Sequence, residues 1–413
     1  MIENKILPAK LNRQKIGELI FYIGITLELL FVLYDKSAFH SLNTGMWFRV
    51  TFLLFATKVM LTKYTLKEWC WMAFFGLIGF ISYKCSSRND MLRLVVMCAA
   101  FKDVDYRKVM KYAFYVMTAG CLLILVLAFT GILGEMSMTA AFRLRQVETR
   151  YTFGFGHPNQ MHCMYFVVAT LGVFCFWDKV NWIWLCGLMV TNCLLFVFTD
   201  SRGGFIGMTC TCILTLFLKY LKKVRDMRWP YMIVIVCLIL VGLLSVGMAY
   251  FGLHYYQADY PRIWDSDLFR QFYELDDKLL SGRLWSCYGM TTTDMRNFGL
   301  FADPGNNEFM DMGYYRLFYW YGYIPGIIYL AVHILLILFS YKNKDYRIFM
   351  MVACFSAYTF LEAHFISPYL GRNYLFFVLG GVGSEILHAA EGKSVGWWEF
   401  FHFFKVIYKE NQR

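Results

Sequence analysis

Residues 181–219 read NWIWLCGLMVTNCLLFVFTDSRGGFIGMTCTCILTLFLK. The stretch is apolar and uncharged as far as Thr199, turns through DSRG, and is apolar again up to Lys219. A helix of about 20 apolar residues matches a bilayer core of about 30 Å, so these residues form two spans joined by a tight turn. The pattern repeats along the chain. Apolar segments of spanning length fall at about 17–34, 45–62, 67–83, 88–101, 109–130, 159–177, 181–199, 204–219, 231–251, 313–340, 347–365 and 372–389. They predict an all-α polytopic membrane protein of about twelve transmembrane helices, with residues 1–413 as one transmembrane domain. Composition agrees, since 59% of residues are apolar and 17% charged, against roughly 45–50% and about 25% in soluble domains. A soluble globular enzyme is excluded.

The fourth segment, 88–101, is short and carries Arg88, Asp90 and Arg93. Counting it as a span sorts the charge. With both termini cytoplasmic, 18 of 21 lysines fall inside, leaving Lys36, Lys84 and Lys278 outside, as the positive-inside rule requires. The +11 net charge is therefore a matter of membrane sides and does not call for a nucleic-acid partner. The basic start, MIENKILPAKLNRQKIGE, lacks a small-residue cleavage site and reads as a cytoplasmic tail. Arginines behave oppositely, with 13 of 19 at the outer side. Topology treats the two residues alike, whereas the planar guanidinium fork suits phosphate and carboxylate. An anion site at the outer face is the sharper explanation; arginines snorkelling to the interface are the plainer one.

Two outer loops are long, about 131–158 and 252–312, and the second contains an amphipathic stretch from Ser266 to Leu280. Loops of that length are commonly functional, and 252–312 is expected to form a partly helical extracellular cap between spans nine and ten. Residues 390–413, rich in Trp, Phe and Lys, suit an amphipathic helix on the inner surface. Eleven of thirteen cysteines lie in or beside apolar runs and read as small core residues. Cys85 and Cys287 lie outside them, and their pairing is left open. No zinc-type spacing occurs.

Five motifs face the outer side. In RYTFGFGHPNQMH, 150–162, Pro158 suits a first helical turn and places His157 at the N-cap, with Asn159 behind it. Gly154 and Gly156 would let backbone approach a ligand, and the helix end offers donors to an anion. In FTDSRGGFIG, 198–207, Asp200 or Ser201 can cap the next helix and Arg202 sits at the membrane edge. LLSGRLWS, 279–286, holds Arg283. DPGNNEFMDMGYYRLFYWYGYIPG, 303–326, holds Asn306, Asn307 and Glu308. LEAHFISPYLGRN, 361–373, holds Glu362, His364 and Arg372; an intramembrane glutamate signals function or a structural ion pair.

The series GFGHPNQ, TDSRGGFIG, LSGR near the end of a long outer loop, and NNEFMDMG followed by GYIPG resembles the O-antigen ligase and Wzy-type polysaccharide polymerase superfamily. It is most similar to the polymerase-like proteins of Gram-positive capsule and exopolysaccharide clusters, over roughly residues 140–375. The resemblance implies a GT-C-like, metal-independent glycosyltransferase without a cofactor. It would act outside the cytoplasmic membrane on undecaprenyl diphosphate-linked oligosaccharide, with the bilayer, a chain-length regulator and a flippase as partners. By the same resemblance Arg202 and Arg283 hold the lipid diphosphate, Arg150 is a weaker match, and Arg372 joins them from its place at the outer face. The ligase branch carries a histidine before the asparagine that closes the big loop. Here Asn306 precedes Asn307, which favours the polymerase branch.

The chemistry fits the residues. A lipid-linked sugar diphosphate brings its own leaving group, so arginines and helix N-termini need only stabilise departing charge. The acceptor hydroxyl needs at most one base, and Glu308, His157, Glu362 and Asp200 are candidates in that order. Asn306, Asn307, Asn159 and Ser201 are expected to position the acceptor or its loop. Trp285, Tyr314, Tyr315 and Trp320 are aromatic platforms for sugar rings or members of an interfacial belt. Two rivals stand beside the polymerase. Ligase-like transfer to another acceptor uses the same residues. A lipid-linked oligosaccharide flippase would show internal repeats and broken midplane helices, and neither is visible in the sequence. His333, alone in AVHILLILF, is the one residue suited to membrane acyl transfer and more simply packs in the core.

Overall fold

The computed structural model describes residues 3–39, 44–143, 146–258, 267, 271, 274, 298–307 and 311–391. The chain opens with five helices, α1 (Glu3–Lys36), α2 (Thr44–Leu61), α3 (Leu66–Ser86), α4 (Asp90–Ala100) and α5 (Tyr106–Phe129). A β-hairpin follows, β1 (Ser137–Arg143) and β2 (Gln146–Tyr151), and then α6 (Pro158–Cys175), α7 (Trp182–Thr199), α8 (Arg202–Tyr220), α9 (Lys222–Arg225) and α10 (Trp229–Ala258). After the large loop come α11 (Gly313–Tyr321), α12 (Tyr323–Asn343), α13 (Tyr346–Leu361), 3-10 turns at Ala363–Phe365 and Leu370–Arg372, and α14 (Leu375–Glu391). Among the described residues, six helical segments are long and apolar enough to cross a membrane: Arg13–Lys36, α5, α7, α8, Trp229–Gly247 and α12. The described chain is thus a mostly helical, membrane-embedded protein.

Local chemistry sets the helix ends. Thr65 and Glu68 form a reciprocal capping box on α3, and the side chains of Asp105, Asn181 and Asp345 accept from the first-turn amides of α5, α7 and α13. The helix α8 lies between α6, α7 and α13. Glycines on α8 make that approach possible: a Cβ on Gly204 would lie 2.5 Å from the His162 ring, and one on Gly207 2.5 Å from the Tyr358 ring.

The structure departs from the sequence expectations at four places. The loop 131–158, expected outside and without assigned structure, contains an antiparallel hairpin pairing Ser137 with Tyr151 and Thr139 with Thr149, a small addition to a mostly helical fold. The segment 313–340 is not one helix but two. Gly322 breaks it at φ 93, and Tyr323 and Ile324 donate their amides to the carbonyls of Gly299 and Leu300. Every residue of α11 is buried, as expected for a helix surrounded by protein on all sides. The segment 88–101 is reduced to the eleven residues of α4, about 16 Å of helix at 1.5 Å per residue, half of a bilayer core. Finally, α10 runs on to Ala258, into the stretch assigned to the 252–312 cap. Most of that cap and the 392–413 tail lie outside the described residues, as do Arg283, Trp285, Cys287 and Glu308, and with them the Cys85–Cys287 question.

Candidate functional site

The hairpin end of the bundle gathers charged side chains from distant parts of the chain. The end of α1 comes first. Ala38 donates its amide to the Gly154 carbonyl at 2.8 Å and Gly156 donates to Lys36 O at 3.0 Å, so the GFGH loop lies along the chain that leaves α1. Gly154 has φ 82, and a Cβ there would lie 2.6 Å from Ala128 Cβ. The glycine accommodates the protein's own packing rather than an approaching ligand.

The sequence expectation for His157 holds in its geometry. His157 is the N-cap of α6 with Pro158 in the first turn, and its Nδ1 accepts the Asn159 backbone N–H at 3.1 Å. Burial holds this imidazole below its ordinary pKa, and the nearby positive charges of Arg150 and Lys36 act in the same direction against Asp311. The lone pair that a base would use is therefore engaged in the cap. Asn159 contributes its backbone N–H to that bond.

Arg150 ties the hairpin to the DSRGG turn. Its Nη2 lies 2.8 Å from carboxylates of both Glu148 and Asp200, and its Nη1 donates to the Asp200 carbonyl at 3.3 Å. Asp200 ends α7 in the left-handed conformation, φ 45. Ser201 stands at the N-cap of α8 but makes no side-chain cap bond, contrary to one of the two expected caps, and it is buried. Arg202 opens α8 at the same end and is half-buried.

Glu362 is brought to this turn from the end of α13. It is buried, and a Cβ on Gly203 would lie 2.7 Å from its Cγ and 2.8 Å from its Oε1. Only glycine lets the first turn of α8 come so close to the carboxylate. Glu362 Oε2 is 3.9 Å from His364 Nε2, and the other ring nitrogen, Nδ1, is 3.2 Å from Lys36 Nζ. Lys36 lies 3.9 Å from Asp35, which also binds Arg372. The result is a chain Glu362, His364, Lys36, Asp35, Arg372, in which Glu362 and Lys36 are buried and the other three are partly buried. Arg316, from α11, donates through Nη1 to the Ala363 and Ile366 carbonyls and fixes the 3-10 turn that carries His364. Between Lys36, His364, Arg372, Cys163 and Tyr374 is a cavity of about 10 Å³, room for one water and none for a phosphate.

The NN motif is held by the turn before α4. Arg88 donates to Asn306 O at 3.2 Å and Asn307 Oδ1 at 3.0 Å while stacking on Trp320 at 3.9 Å. Asn306 is buried and donates to Tyr319 O at 2.8 Å; Asn307 donates to Pro304 O at 2.8 Å. Both asparagines thus hold the local shape of their loop. Tyr314, Tyr315 and Trp320 are buried in a secondary core and are not displayed as platforms for sugars. His333 is buried with Nδ1 2.7 Å from the Tyr329 carbonyl, a turn away in α12. Beside the NN loop, an apolar cavity of about 100 Å³ is lined by Met91, Leu94, Val332 and Leu379, with Asp90 and Tyr321 on its wall.

Of the sequence candidates, Arg150, His157, Asp200, Arg202, Glu362 and Arg372 share one end of the bundle. Lys36 and Asp35 were missed as partners, because nothing local marks a contact across 328 residues. Among the described residues no three of His, Cys, Asp and Glu gather to hold a metal. No family model matches the chain, and neither the curated proteins nor the solved structures provide a match.

Proposed function

We propose that this chain is a membrane glycosyltransferase, a polysaccharide polymerase that joins undecaprenyl diphosphate-linked oligosaccharide units at the hairpin end of the bundle, facing outside. One observation carries the proposal. Six segments separated in sequence place Lys36, Arg150, Arg202, Arg316 and Arg372 at one end, around a buried glutamate that touches the first turn of α8. Such a constellation suits a reaction in which diphosphate departs and a hydroxyl attacks.

In this scheme the bond from the anomeric carbon to the phosphate oxygen breaks and the lipid diphosphate leaves with the electron pair. Arg202 and the N-terminal amides of α8 meet the developing charge, with Arg283 from the large loop. The acceptor hydroxyl forms the new glycosidic bond and gives its proton to Glu362. Of the three proposed bases among the described residues, Glu362 is preferred, because His157 is occupied as a cap and Asp200 is bound to Arg150; Glu308 lies outside the described residues and stays a candidate. The 100 Å³ apolar cavity offers hydrocarbon a place beside the polar end.

The test is reconstitution in liposomes with purified lipid-diphosphate oligosaccharide. Wild type should give a ladder of lengthening lipid-linked chains that is absent in Arg202→Ala and Glu362→Gln. Transfer of a single unit to a different acceptor would replace the polymerase with a ligase. Movement of intact substrate across the bilayer without transfer would sink the glycosyltransferase reading altogether.

A further inference from the structure

The chain from Lys36 to Glu362 fixes a proton as well as a geometry. An ammonium has three donors and no acceptor, so Lys36 Nζ at 3.2 Å from His364 Nδ1 requires a lone pair on that nitrogen. A neutral imidazole with Nδ1 unprotonated carries its proton on Nε2, the nitrogen that faces Glu362 Oε2 at 3.9 Å. A doubly protonated ring would lose the lysine bond and set two cations at contact distance in a buried site.

We infer that Lys36 and His364 are positioning residues for Glu362: Lys36 locks the imidazole as its Nε2–H tautomer, so that an N–H dipole and not a lone pair is presented to the carboxylate 3.9 Å away beside the N-terminus of α8. The inference rests on the reading of Glu362 as the base of the proposed reaction. It reaches outside the region that carries the family resemblance, since Lys36 belongs to α1.

The surroundings fit. From α1, Asp35 balances Lys36. The second 3-10 turn supplies Arg372, bound to the same Asp35. Arg316 reaches from α11 to the carbonyls on either side of His364. The Tyr358 ring, on α13, lies 6.1 Å from the imidazole, and α6 contributes Cys163 to the small cavity beside it. No change of protonation on these groups is needed for Lys36 to select the tautomer.

The experiment reads the tautomer directly and without substrate. Protein labelled with ¹⁵N-histidine, in detergent or bilayers near pH 7, is compared with His364→Gln, which assigns the His364 signals by their loss. The expected spectrum shows Nε2 protonated and Nδ1 bare, and in Lys36→Met this single pattern gives way to a mixture or to the opposite tautomer. Lys36→Arg, which keeps a donor without a lone pair, should preserve the wild-type pattern and shows that the fold tolerates change at this position. Protonation on Nδ1 in wild type, or an unchanged pattern in Lys36→Met, overturns the inference.

A second arm follows the pH profile of glycan transfer. In Lys36→Met activity should be lost from the acid side at a higher pH, with the profile restored in Lys36→Arg; a profile identical to wild type would overturn the link to Glu362. Failure of the polymerase reading would appear as absence of transfer with the tautomer intact, so the two failures are distinguishable.

Discussion

Glu362 and His157 both occupy helix ends, yet their surroundings assign them different work. Glu362→Gln keeps the shape of the side chain and removes its basicity, so the initial rate of glycan transfer should fall by at least about 100-fold, the lower range for general bases. Retention of donor in a pull-down should be unchanged. A variant within tenfold of wild type would remove Glu362 from the chemistry. His157 is expected to matter for stability instead. Loss of a capping acceptor costs about 1 kcal/mol, so His157→Ala should melt earlier in detergent at pH 7.5. Because burial holds the folded pKa below 6.5, the cap's contribution is complete above that value and declines as pH falls through the folded pKa. The gap between wild type and His157→Ala should therefore narrow by pH 5. A gap that widens on acidification would contradict the cap.

The buried cluster below the site obeys a harsher rule. Arg93 binds Glu28 at 2.9 Å and the Pro368 carbonyl at 2.7 Å, while Thr51 donates to the same glutamate at 2.6 Å. Removing one partner of such a pair strands a buried charge, typically at about 3–5 kcal/mol. Arg93→Met should give protein that melts well below wild type, and Arg93→Met combined with Glu28→Gln should recover part of the loss. No recovery in the double variant would show that the pair is not what Arg93 contributes.

At the level of elements, the turn between α7 and α8 is the sharpest test of close packing. Gly203→Ala puts a methyl group within 2.8 Å of the Glu362 carboxylate and should reduce turnover more than it reduces stability. Gly187→Ala, where a Cβ meets nothing within 4 Å, is the control and should be silent in both. Equal effects of the two would mean that the carboxylate moves aside freely. Gly322→Ala combines a left-handed φ of 93 with a Cβ 2.5 Å from Phe301 Cα, so it should loosen the 298–307 segment, seen as faster hydrogen exchange there.

Elements differ in how openly the sequence announces them. Long uncharged runs such as 181–199 and 109–130 declare themselves through length, and the N-cap at His157 through the Pro158 that follows. The break at Gly322 was masked because YWYGYIPG is apolar on both sides, so hydropathy ran through it unbroken. The hairpin was masked for the opposite reason: Val147 and Thr149 are exposed while the charged Glu148 and Arg150 turn inward, and a strand pair without a buried apolar face leaves no hydrophobic alternation to find. Charged contacts were hidden by distance along the chain, since Asp35 and Arg372, like Lys36 and His364, meet only in the folded bundle.

For the whole molecule, the two ends carry different chemistry. At the end opposite the hairpin, Lys102 binds Glu68 at 2.7 Å, Lys58 donates to the Lys102 carbonyl at 3.2 Å, and Lys219 caps the carbonyls of Trp177 and Val180. If this lysine end faces the cytoplasm, as the positive-inside rule directs, the hairpin projects outside. Cysteines placed at Thr139 and Lys108, both exposed, would decide it. An impermeant maleimide added to intact cells should label Thr139→Cys above the parent protein and leave Lys108→Cys at background; the reverse result would put the site inside and end the proposal of an outer-face reaction.

The ion pairs across the chain also have a consequence in time. Asp35 and Lys36 are synthesised well before Arg372 and His364, which neutralise and shelter them and come more than 300 residues later, roughly 15–65 s at ordinary rates of synthesis. During that interval the nascent protein must hold two charges at the end of α1 without their permanent neighbours, either by leaving that end in contact with water or by leaning on the insertion machinery. Chains stopped after Leu361 should consequently be degraded faster in a pulse-chase than chains stopped after Glu391, although both contain α1 to α13. Birth order, as much as final packing, thus decides how long this protein is vulnerable to quality control.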